Sequence, residues 1–291
     1  MVNDYAICAL AANDTVRVVA ARTTDVVRAA QSRHGCSPTV SAALGRLLTG
    51  AVLMSVSLKG RERVTLQINC DGPVAGLIAD ALPGGAVRGY PKRPSAELPL
   101  NALGKFDVAG IVGTGTLHVT RMFDTGQPYT SAVALVNGEI GEDLAFYFAR
   151  SEQIRSVVAV GVLVNPQGVL ASGGILAQLL PGADDGVVDV LEAATRSLPH
   201  ISSLVNQGLS PEDIVNRFAA ELSPRLTFRQ PVAFRCTCDR SRVVKALIGF
   251  GARELANMAS AAHQTEATCQ FCGQRYYFLP AEIGDILKTT A

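Results

Sequence analysis

The sequence predicts an α+β fold, and three features of the chain lead to this expectation. Strand-like runs in the N-terminal part follow one another through Gly, Pro and Asn turns instead of alternating with helices, which favours antiparallel pairing. The length of 291 residues suggests two domains. Four of the seven cysteines lie in two tight pairs near the C-terminus. We therefore expect an N-terminal domain with largely antiparallel sheets and packed helices (1–180), a helical linker (181–231) and a small C-terminal domain (232–291).

The helices of the N-terminal domain are predicted from capping residues and apolar periodicity. A first helix, capped by Thr24 or Asp25, is expected to run through Val26 towards His34, with Gly35 as its stop signal. A Ser-Pro pair opens a second, longer helix over 37–60, because proline is favoured in the first helical turn. A third helix is expected from 143 to about 154, and a short one after the glycine pair at 173–174.

Four runs with β-type composition predict the strands of this domain. They lie at 63–69, 115–121, 131–136 and 156–164. The Asp-Gly-Pro sequence after the first run is a turn signal. Consecutive strands joined in this way pair antiparallel, as the fold class requires.

The expected linker has apolar residues at helical spacing, but four prolines divide it into short pieces. Each piece is too short to form a stable helix alone, so we expect helices that depend on docking for their stability. If the linker is released, its apolar residues become a candidate surface for binding unfolded proteins. These residues are Ile201, Leu204, Val205, Ile214 and Phe218.

The two cysteine pairs of the C-terminal domain are Cys236 with Cys238, and Cys269 with Cys272. Four cysteine sulfurs match the ligand set of a tetrahedral structural Zn²⁺ site. His263 is a rival ligand, but we expect ligation by sulfur alone. The sequence therefore predicts a zinc-binding domain that holds one Zn²⁺ per chain through these four cysteines.

Two interpretations of the cysteine pairs remain open on spacing. The first is a purely structural zinc ribbon. The second is a redox switch, because residues two apart in an extended chain have Cα atoms roughly 6.6–7.2 Å apart and need only a modest bend to form a disulfide. A thioredoxin-like site is disfavoured, since a strand-like run at 275–278, and not a helix, follows the CxxC pair.

A zinc ribbon that mediates RNA or protein interaction is the alternative function. RNA binding is disfavoured because the basic and acidic side chains after Cys236 nearly balance, and four thiolates around one Zn²⁺ add negative charge. The whole chain has a formal charge of +1 and only 5% aromatic residues, with no Trp, so nucleic-acid and membrane partners are not expected.

The sequence does not indicate an enzyme or an exported protein. The motifs of serine hydrolases, P-loop proteins, zinc proteases and dinucleotide-binding folds do not occur in it. The first residues lack a basic segment, and the apolar run at 47–58 is too short to span a bilayer, so we expect a cytoplasmic protein. Cys8, Cys36 and Cys70 lie in apolar surroundings and are expected to be small core residues.

Motifs along nearly the whole chain resemble the heat shock protein 33 family, the 33 kDa chaperonins. In the C-terminal domain, the similarity lies in Cys-Thr-Cys-Asp from Cys236 and in Cys-Gln-Phe-Cys-Gly from Cys269, although the family often has Asn or Ser where Gly273 stands. The remaining motifs lie at 45–47, 58–60, 71–73, 88–90, 147–153, 173–182 and 246–255.

The resemblance implies a stress-response chaperone that works without ATP and is controlled by oxidation. In the reduced state the four cysteines hold zinc and the protein is inactive. Oxidation is implied to form the disulfides Cys236–Cys238 and Cys269–Cys272, to release zinc and to unfold the C-terminal domain and the linker. The exposed surface then holds unfolding or oxidatively damaged client proteins and prevents their aggregation. The resemblance also implies that the oxidised form is a homodimer.

Overall fold

The structure, a computed structural model, describes residues 3–290. The chain divides into two compact units between Arg235 and Cys236, and each unit has its own hydrophobic core. The segment expected to be a linker, 181–231, is folded within the first unit. Its behaviour as a separate, metastable element stays a prediction.

The strands of the described residues number thirteen. They are β1 (Tyr5–Ala11), β2 (Val16–Arg22), β3 (Arg63–Cys70), β4 (Gly76–Leu82), β5 (Ala86–Pro91), β6 (Gly115–Met122), β7 (Tyr129–Ala134), β8 (Ser156–Asn165), β9 (Gly168–Leu179), β10 (Arg225–Pro231), β11 (Ala233–Phe234), β12 (Thr265–Thr268) and β13 (Arg275–Phe278).

Ten α-helices accompany these strands in the same part of the chain. They are α1 (Thr24–His34), α2 (Pro38–Ser55), α3 (Val108–Val112), α4 (Gly141–Tyr147), α5 (Asp185–Ser197), α6 (Ile201–Asn206), α7 (Pro211–Ala219), α8 (Arg240–Ile248), α9 (Ala252–Ala259) and α10 (Pro280–Thr290).

Three sheets organise the strands, and they confirm the predicted α+β class with antiparallel pairing. The first has the order β10-β1-β2-β9-β8, the second β11-β5-β4-β3-β6-β7, and the third is the β12-β13 hairpin. Every pair is antiparallel except β11 with β5, which is parallel and only two residues long.

Helix α2 forms the centre of the first unit. All of its residues except Pro38 and Arg46 are buried, because it contacts strands of both large sheets. The Ser37 hydroxyl accepts a hydrogen bond from the Val40 N–H at 3.2 Å and caps the helix, as the Ser-Pro sequence predicts. A helix that is buried on all sides must be apolar on all sides. Burial of α2 in the protein core therefore accounts for the uncharged run at 47–58.

The structure corrects three local predictions. The glycine pair at 173–174 lies inside β9 and is not followed by a helix, because β9 pairs with β2 over 173–179 and with β8 from Gly168 to Gln178. Residues 225–230, expected to be helical, form β10 on the edge of the first sheet. The helix expected over 143–154 is α4, which ends at Tyr147 and continues as a π-helical turn to Glu152. In the first two cases, pairing with strands distant in sequence overrides the local preference.

Helices α5, α6 and α7 cover one face of the five-stranded sheet. Their apolar sides form a second core with the outward side chains of β1, β2 and β9. Helix α7 begins with a capping box, in which Ser210 and Asp213 exchange hydrogen bonds. The five predicted linker residues, Ile201, Leu204, Val205, Ile214 and Phe218, are all buried in this core.

Candidate metal centre

The C-terminal unit has a small core for its size. Within the described residues, its fully enclosed apolar cluster consists of Leu247, Leu255, Phe278 and Ile283, with partly buried neighbours around it. Helices α8, α9 and α10 and the β12-β13 hairpin supply these side chains. A core of this size provides little stability on its own, so the unit is a typical candidate for support by a metal.

Two local structures position the four cysteines. Cys236 and Cys238 lie just before α8, where the Asp239 carboxylate caps the helix by accepting the Arg242 N–H at 2.9 Å. Cys269 and Cys272 lie in the turn between β12 and β13. These are the chain segments that the cysteine spacing predicted as the two halves of a metal site.

The turn between β12 and β13 is closed by main-chain hydrogen bonds. The Cys269 N–H donates to the Gln274 carbonyl at 2.9 Å, and the Gly273 N–H donates to the Cys269 carbonyl at 2.8 Å. Gly273 has a φ of +73°, a conformation that glycine adopts without a steric penalty and that asparagine also tolerates. The turn therefore orients both sulfurs to the same side without help from any other element.

The four sulfur atoms converge on one point. The Cys236 and Cys269 sulfurs are 3.8 Å apart, the Cys238 and Cys272 sulfurs are 3.4 Å apart, and all four lie within 4.8 Å of one another. A tetrahedral site with Zn–S bonds of about 2.3 Å places its sulfurs about 3.8 Å apart. The arrangement therefore fits a tetrahedral, all-sulfur site, and the four cysteines could hold a metal ion. No histidine belongs to this group among the residues that the structure describes.

Burial and mutual proximity oppose ionisation of these thiols when no cation is present. Burial raises the pKa of Cys272 to about 12 and also raises the pKa of Cys269. The other three sulfurs raise the pKa of Cys272 further, and Cys236 and Cys238 do the same for Cys269. Four thiolates at these distances therefore require a cation between them. A soft, tetrahedral divalent ion matches that requirement, since sulfur ligands select such ions.

Tyr276 is a neighbour of the cluster that the sequence analysis did not identify. Its hydroxyl donates a hydrogen bond to the Cys238 sulfur at 3.2 Å, and this bond raises the pKa of Tyr276, so the phenol keeps its proton. The signal available in the sequence was the alternation of β13, which places Tyr276 and Phe278 on the same face of the strand. Groups that hydrogen-bond to metal ligands orient those ligands and adjust their charge.

The other three cysteines belong to the first unit. Cys36 is buried, and burial raises its pKa to about 12. Cys8 and Cys70 are half-buried and pack against the main core. The expectation that these residues act as small core side chains agrees with these positions. No disulfide joins any of the seven cysteines, all of which lie within the residues that the structure describes.

Along residues 3–290, none of the helices combines the length and the apolar character that crossing a membrane requires.

Comparison with known proteins places these features in a family. The family described as Hsp33 protein matches residues 4–279. The 33 kDa chaperonin of Shouchella clausii is 42% identical over 287 residues, which cover 98% of this chain and 97% of the relative. That of Bacillus subtilis is 41% identical over 289 residues, 99% of each chain. The crystal structure of a 33 kDa chaperonin (heat shock protein 33 homolog) from Thermotoga maritima superposes with a TM-score of 0.91 at 36% identity, covering 99% of this chain and 98% of that one.

Proposed function

The chain belongs to the Hsp33 family, and from this premise we propose that it is a redox-regulated holdase, a chaperone that binds unfolding proteins without ATP. The observation that carries the proposal is the convergence of Cys236, Cys238, Cys269 and Cys272 on one point within a unit that has a small core. Such a unit loses its fold when its ligands can no longer hold a metal. The proposal has four steps, which concern the metal, the sulfurs, the linker and the client.

In the reduced state the four cysteine sulfurs hold one Zn²⁺ per chain. When bound, the ion would offset two of the four thiolate charges, and in small zinc-dependent units it supplies an apparent ~10–16 kcal/mol of folding free energy. The Tyr276 hydroxyl supports the Cys238 sulfur by hydrogen bonding. We propose that the protein is inactive in this state, because the apolar faces of α6 and α7 are buried against the sheet.

Oxidation by a peroxide converts each cysteine pair to a disulfide. One thiolate attacks the peroxide, the O–O bond breaks, and a sulfenic acid and hydroxide form. The second thiolate then attacks the sulfenic sulfur and expels hydroxide, so that two electrons have passed from the two sulfurs to the peroxide. We propose the pairs Cys236–Cys238 and Cys269–Cys272, following the family resemblance.

The choice of pairs decides whether the unit can open. Two short sulfur contacts cross between the halves, from Cys236 to Cys269 at 3.8 Å and from Cys238 to Cys272 at 3.4 Å. Disulfides formed across these contacts would tie the halves together. Disulfides within each pair close only short loops and leave the halves free to separate, so this pairing is the one that permits unfolding.

Release of the linker, 181–231, follows in the proposal. Its helices are short, and their stability comes from packing against β1, β2 and β9. Once the C-terminal unit unfolds, we propose that α5, α6 and α7 leave the sheet. Both partners of this second core then become available to unfolded clients: the sheet face and the residues Ile201, Leu204, Val205, Ile214 and Phe218.

The remaining parts of the proposal concern the setting of this activity. The partners are unfolding or oxidatively damaged proteins, and the oxidised chain forms a homodimer. Nucleic acid is not a partner, because the two kinds of charged side chain nearly balance along the chain. We propose a cytoplasmic location, where a reducing environment keeps the four cysteines as thiols until oxidant enters.

Replacement of Cys269 and Cys272 by Ser tests the proposal. The double variant loses half of the sulfur ligands, so its C-terminal unit should be loosened without oxidant. Under reductant, it should suppress light scattering from a heat-denatured client far better than the reduced wild type does. The control replaces Cys70 by Ser, which removes a thiol outside the cluster, the linker and β1.

The two possible outcomes separate the proposed function from the alternative, a structural zinc ribbon for RNA or protein interaction. A switch predicts a gain of holdase activity in the variant and no change in the control. A structural ribbon predicts that the soluble variant suppresses aggregation no better than the reduced wild type does. Zinc content and thiol content, measured on the same samples, establish whether the metal has left.

A further inference from the structure

The edge of the five-stranded sheet is formed by β10, the last strand of the linker segment. It pairs antiparallel with β1, from Tyr5 opposite Pro231 to Leu10 opposite Arg225, with one irregularity between Cys8 and Ala9. On its other side β1 pairs with β2 over seven residues. If the linker leaves, β1 therefore becomes the new edge of a sheet that otherwise persists.

Strand β10 is held mainly by its backbone. Of its seven residues, only Gln230 is buried, and the other six are exposed. Its side chains form two ion pairs, from Arg225 to Asp14 and from Arg229 to the half-buried Glu212. The Thr227 hydroxyl also donates to the Cys8 carbonyl at 3.0 Å, and the Arg229 guanidinium lies 4.0 Å from the centre of the Tyr5 ring. The β10 side chains in these contacts are exposed, so each contact contributes little free energy. A strand bound in this way imposes few requirements on the sequence of whatever occupies the edge.

Strand β1, in contrast, is fixed by the rest of the first unit. Five of its seven residues are buried and the other two are half-buried. Its side chains pack into both cores, with Ala6 in the main core and Ile7 in the second. The second core is lost when the linker leaves, but the contact of Ala6 with the main core and the seven-residue pairing with β2 remain and hold the edge of β1 in position.

One contact shows which residues of β10 direct their backbone N–H groups towards β1. The Val232 N–H donates to the Asp4 carbonyl at 3.0 Å. Because alternate residues of an antiparallel strand face the partner, Gln230 and Phe228 direct their N–H groups towards β1, and Arg229 directs its N–H away. Pro231, which has no N–H, occupies a position facing away, where it costs no hydrogen bond.

We propose that the β1 edge, once vacated by β10, binds extended segments of unfolded client chains by antiparallel strand addition. The inference rests on the proposed function, since it requires release of the linker. A row of unpaired N–H and C=O groups fits another strand better than it fits any folded ligand. Such an edge binds the backbone, which every unfolded protein exposes. One surface can therefore bind clients of unrelated sequence.

A fluorescent peptide with the sequence of residues 225–232 tests this inference on the full-length chain. Fluorescence anisotropy should show binding to the oxidised chain and at least tenfold weaker binding to the reduced chain, whose edge is occupied. Competitors carry a single N-methyl group, which removes one N–H. Methylation at Phe228 or Gln230 should weaken competition at least tenfold, and methylation at Arg229, the matched control, should leave it within threefold of the parent.

The same peptides link the edge to client binding. The parent peptide and the Arg229-methylated peptide should inhibit suppression of client aggregation by the oxidised chain, and the peptides methylated at Phe228 or Gln230 should not. A peptide with the side chains of 225–229 in scrambled order should still bind within about threefold, since the edge reads the backbone.

Two results would overturn the inference, and a third would separate it from the proposed function. Equal competition by all three methylated peptides excludes strand addition, even if the oxidised chain suppresses aggregation normally. Conversion of an oxidised dimer to monomer by the parent peptide, seen by sedimentation, would show that β10 of a second copy fills the edge instead of a client. If peptide binding depends on which N–H is methylated but the oxidised chain does not suppress aggregation, the β1 edge is supported as a strand-binding site and the holdase function is refuted.

Discussion

Single side chains determine what the C-terminal cluster can do chemically. The four sulfurs supply the ligands, and Tyr276 adds a donor that keeps its proton because it bonds to Cys238. The Asp239 cap and the turn at Gly273 hold the two halves in position by local bonds. At this scale the site is built from short-range structure, which is why the cysteine spacing alone predicts it.

A single carboxylate in the first unit, Asp4, gives the protein a pH-dependent stability. Burial raises the pKa of Asp4 to about 6, even though the Val26 N–H donates to it and Arg22 lies 3.6 Å away. The folded state then binds this proton more tightly than the unfolded state, whose Asp has an ordinary pKa near 4. The stabilisation of the folded state by the proton on Asp4 is therefore fully present below about pH 4 and is lost as the pH rises through about 6.

We predict that Asp4→Asn stabilises the first unit above pH 6, by about 2–3 kcal/mol, because the variant has no buried charge to desolvate. Below pH 4 the two proteins should be equally stable. Denaturant unfolding at several pH values measures the difference in free energy of unfolding between the two proteins. Hydrogen exchange of β1 and β2 provides a second, local measurement. An Asn variant that is less stable than the wild type at pH 7 would contradict the assignment, as would a difference that does not change with pH.

At the scale of elements, close packing against two strands holds helix α6 in place. Gly161 of β8 lies directly under the start of α6: a Cβ atom placed on it would be 3.0 Å from the Ser202 nitrogen. On β9, a Cβ placed on Gly173 would lie 2.8 Å from a methyl group of Val205. The helix can approach the sheet this closely only because these positions lack side chains.

We predict that Gly161→Ala loosens the linker without unfolding the first unit. The added methyl group presses on α6, so the reduced variant should be cut by protease between 181 and 235 several times faster than the wild type. It should also suppress client aggregation partly without oxidant. Gly174→Ala is the matched control, because its methyl group meets Thr49 and Leu53 of α2 on the other face of the sheet.

A general loss of stability would affect both glycine variants alike. Faster cleavage within 181–235 in Gly161→Ala alone supports a linker held by packing. Equal cleavage in both variants, or first cleavage inside 64–164, would count against it.

At the scale of the whole molecule, the two units differ in what stabilises them. The first unit has two extended cores built on large sheets and the buried helix α2, whereas the second has a four-residue core and the sulfur cluster. Stability should therefore depend on metal in the second unit and on apolar burial in the first.

Metal removal should destabilise the second unit and leave the first unit unaffected. With the reduced, zinc-loaded chain, a strong chelator should raise hydrogen exchange of β12 and β13 at least tenfold and leave β3 and β6 unchanged. The chelator with excess zinc is the control. Unchanged exchange in β12 and β13 after complete loss of zinc would show that the small core folds the unit without metal.

The sequence by itself determined the parts of this protein that depend on neighbouring residues. The stop signal at Gly35 located the end of α1 and the Ser-Pro pair located the start of α2. Turn signals indicated antiparallel sheets, and the spacing of four cysteines predicted a sulfur site. The helix ends and turns depend on contacts within a few residues, and each cysteine pair lies within one short motif, although the two pairs are 33 positions apart. Local rules therefore suffice for them.

Only the tertiary structure decided which segments become strands and which surfaces are covered. The segments 168–179 and 225–231 carry weak local preferences, and their pairing with β2, β8 and β1 selects the strand conformation. The contact of Tyr276 with Cys238 joins residues 38 positions apart. Partners so distant in sequence meet only when the chain is folded, because strand pairing and side-chain contact depend on the fold and not on local preference.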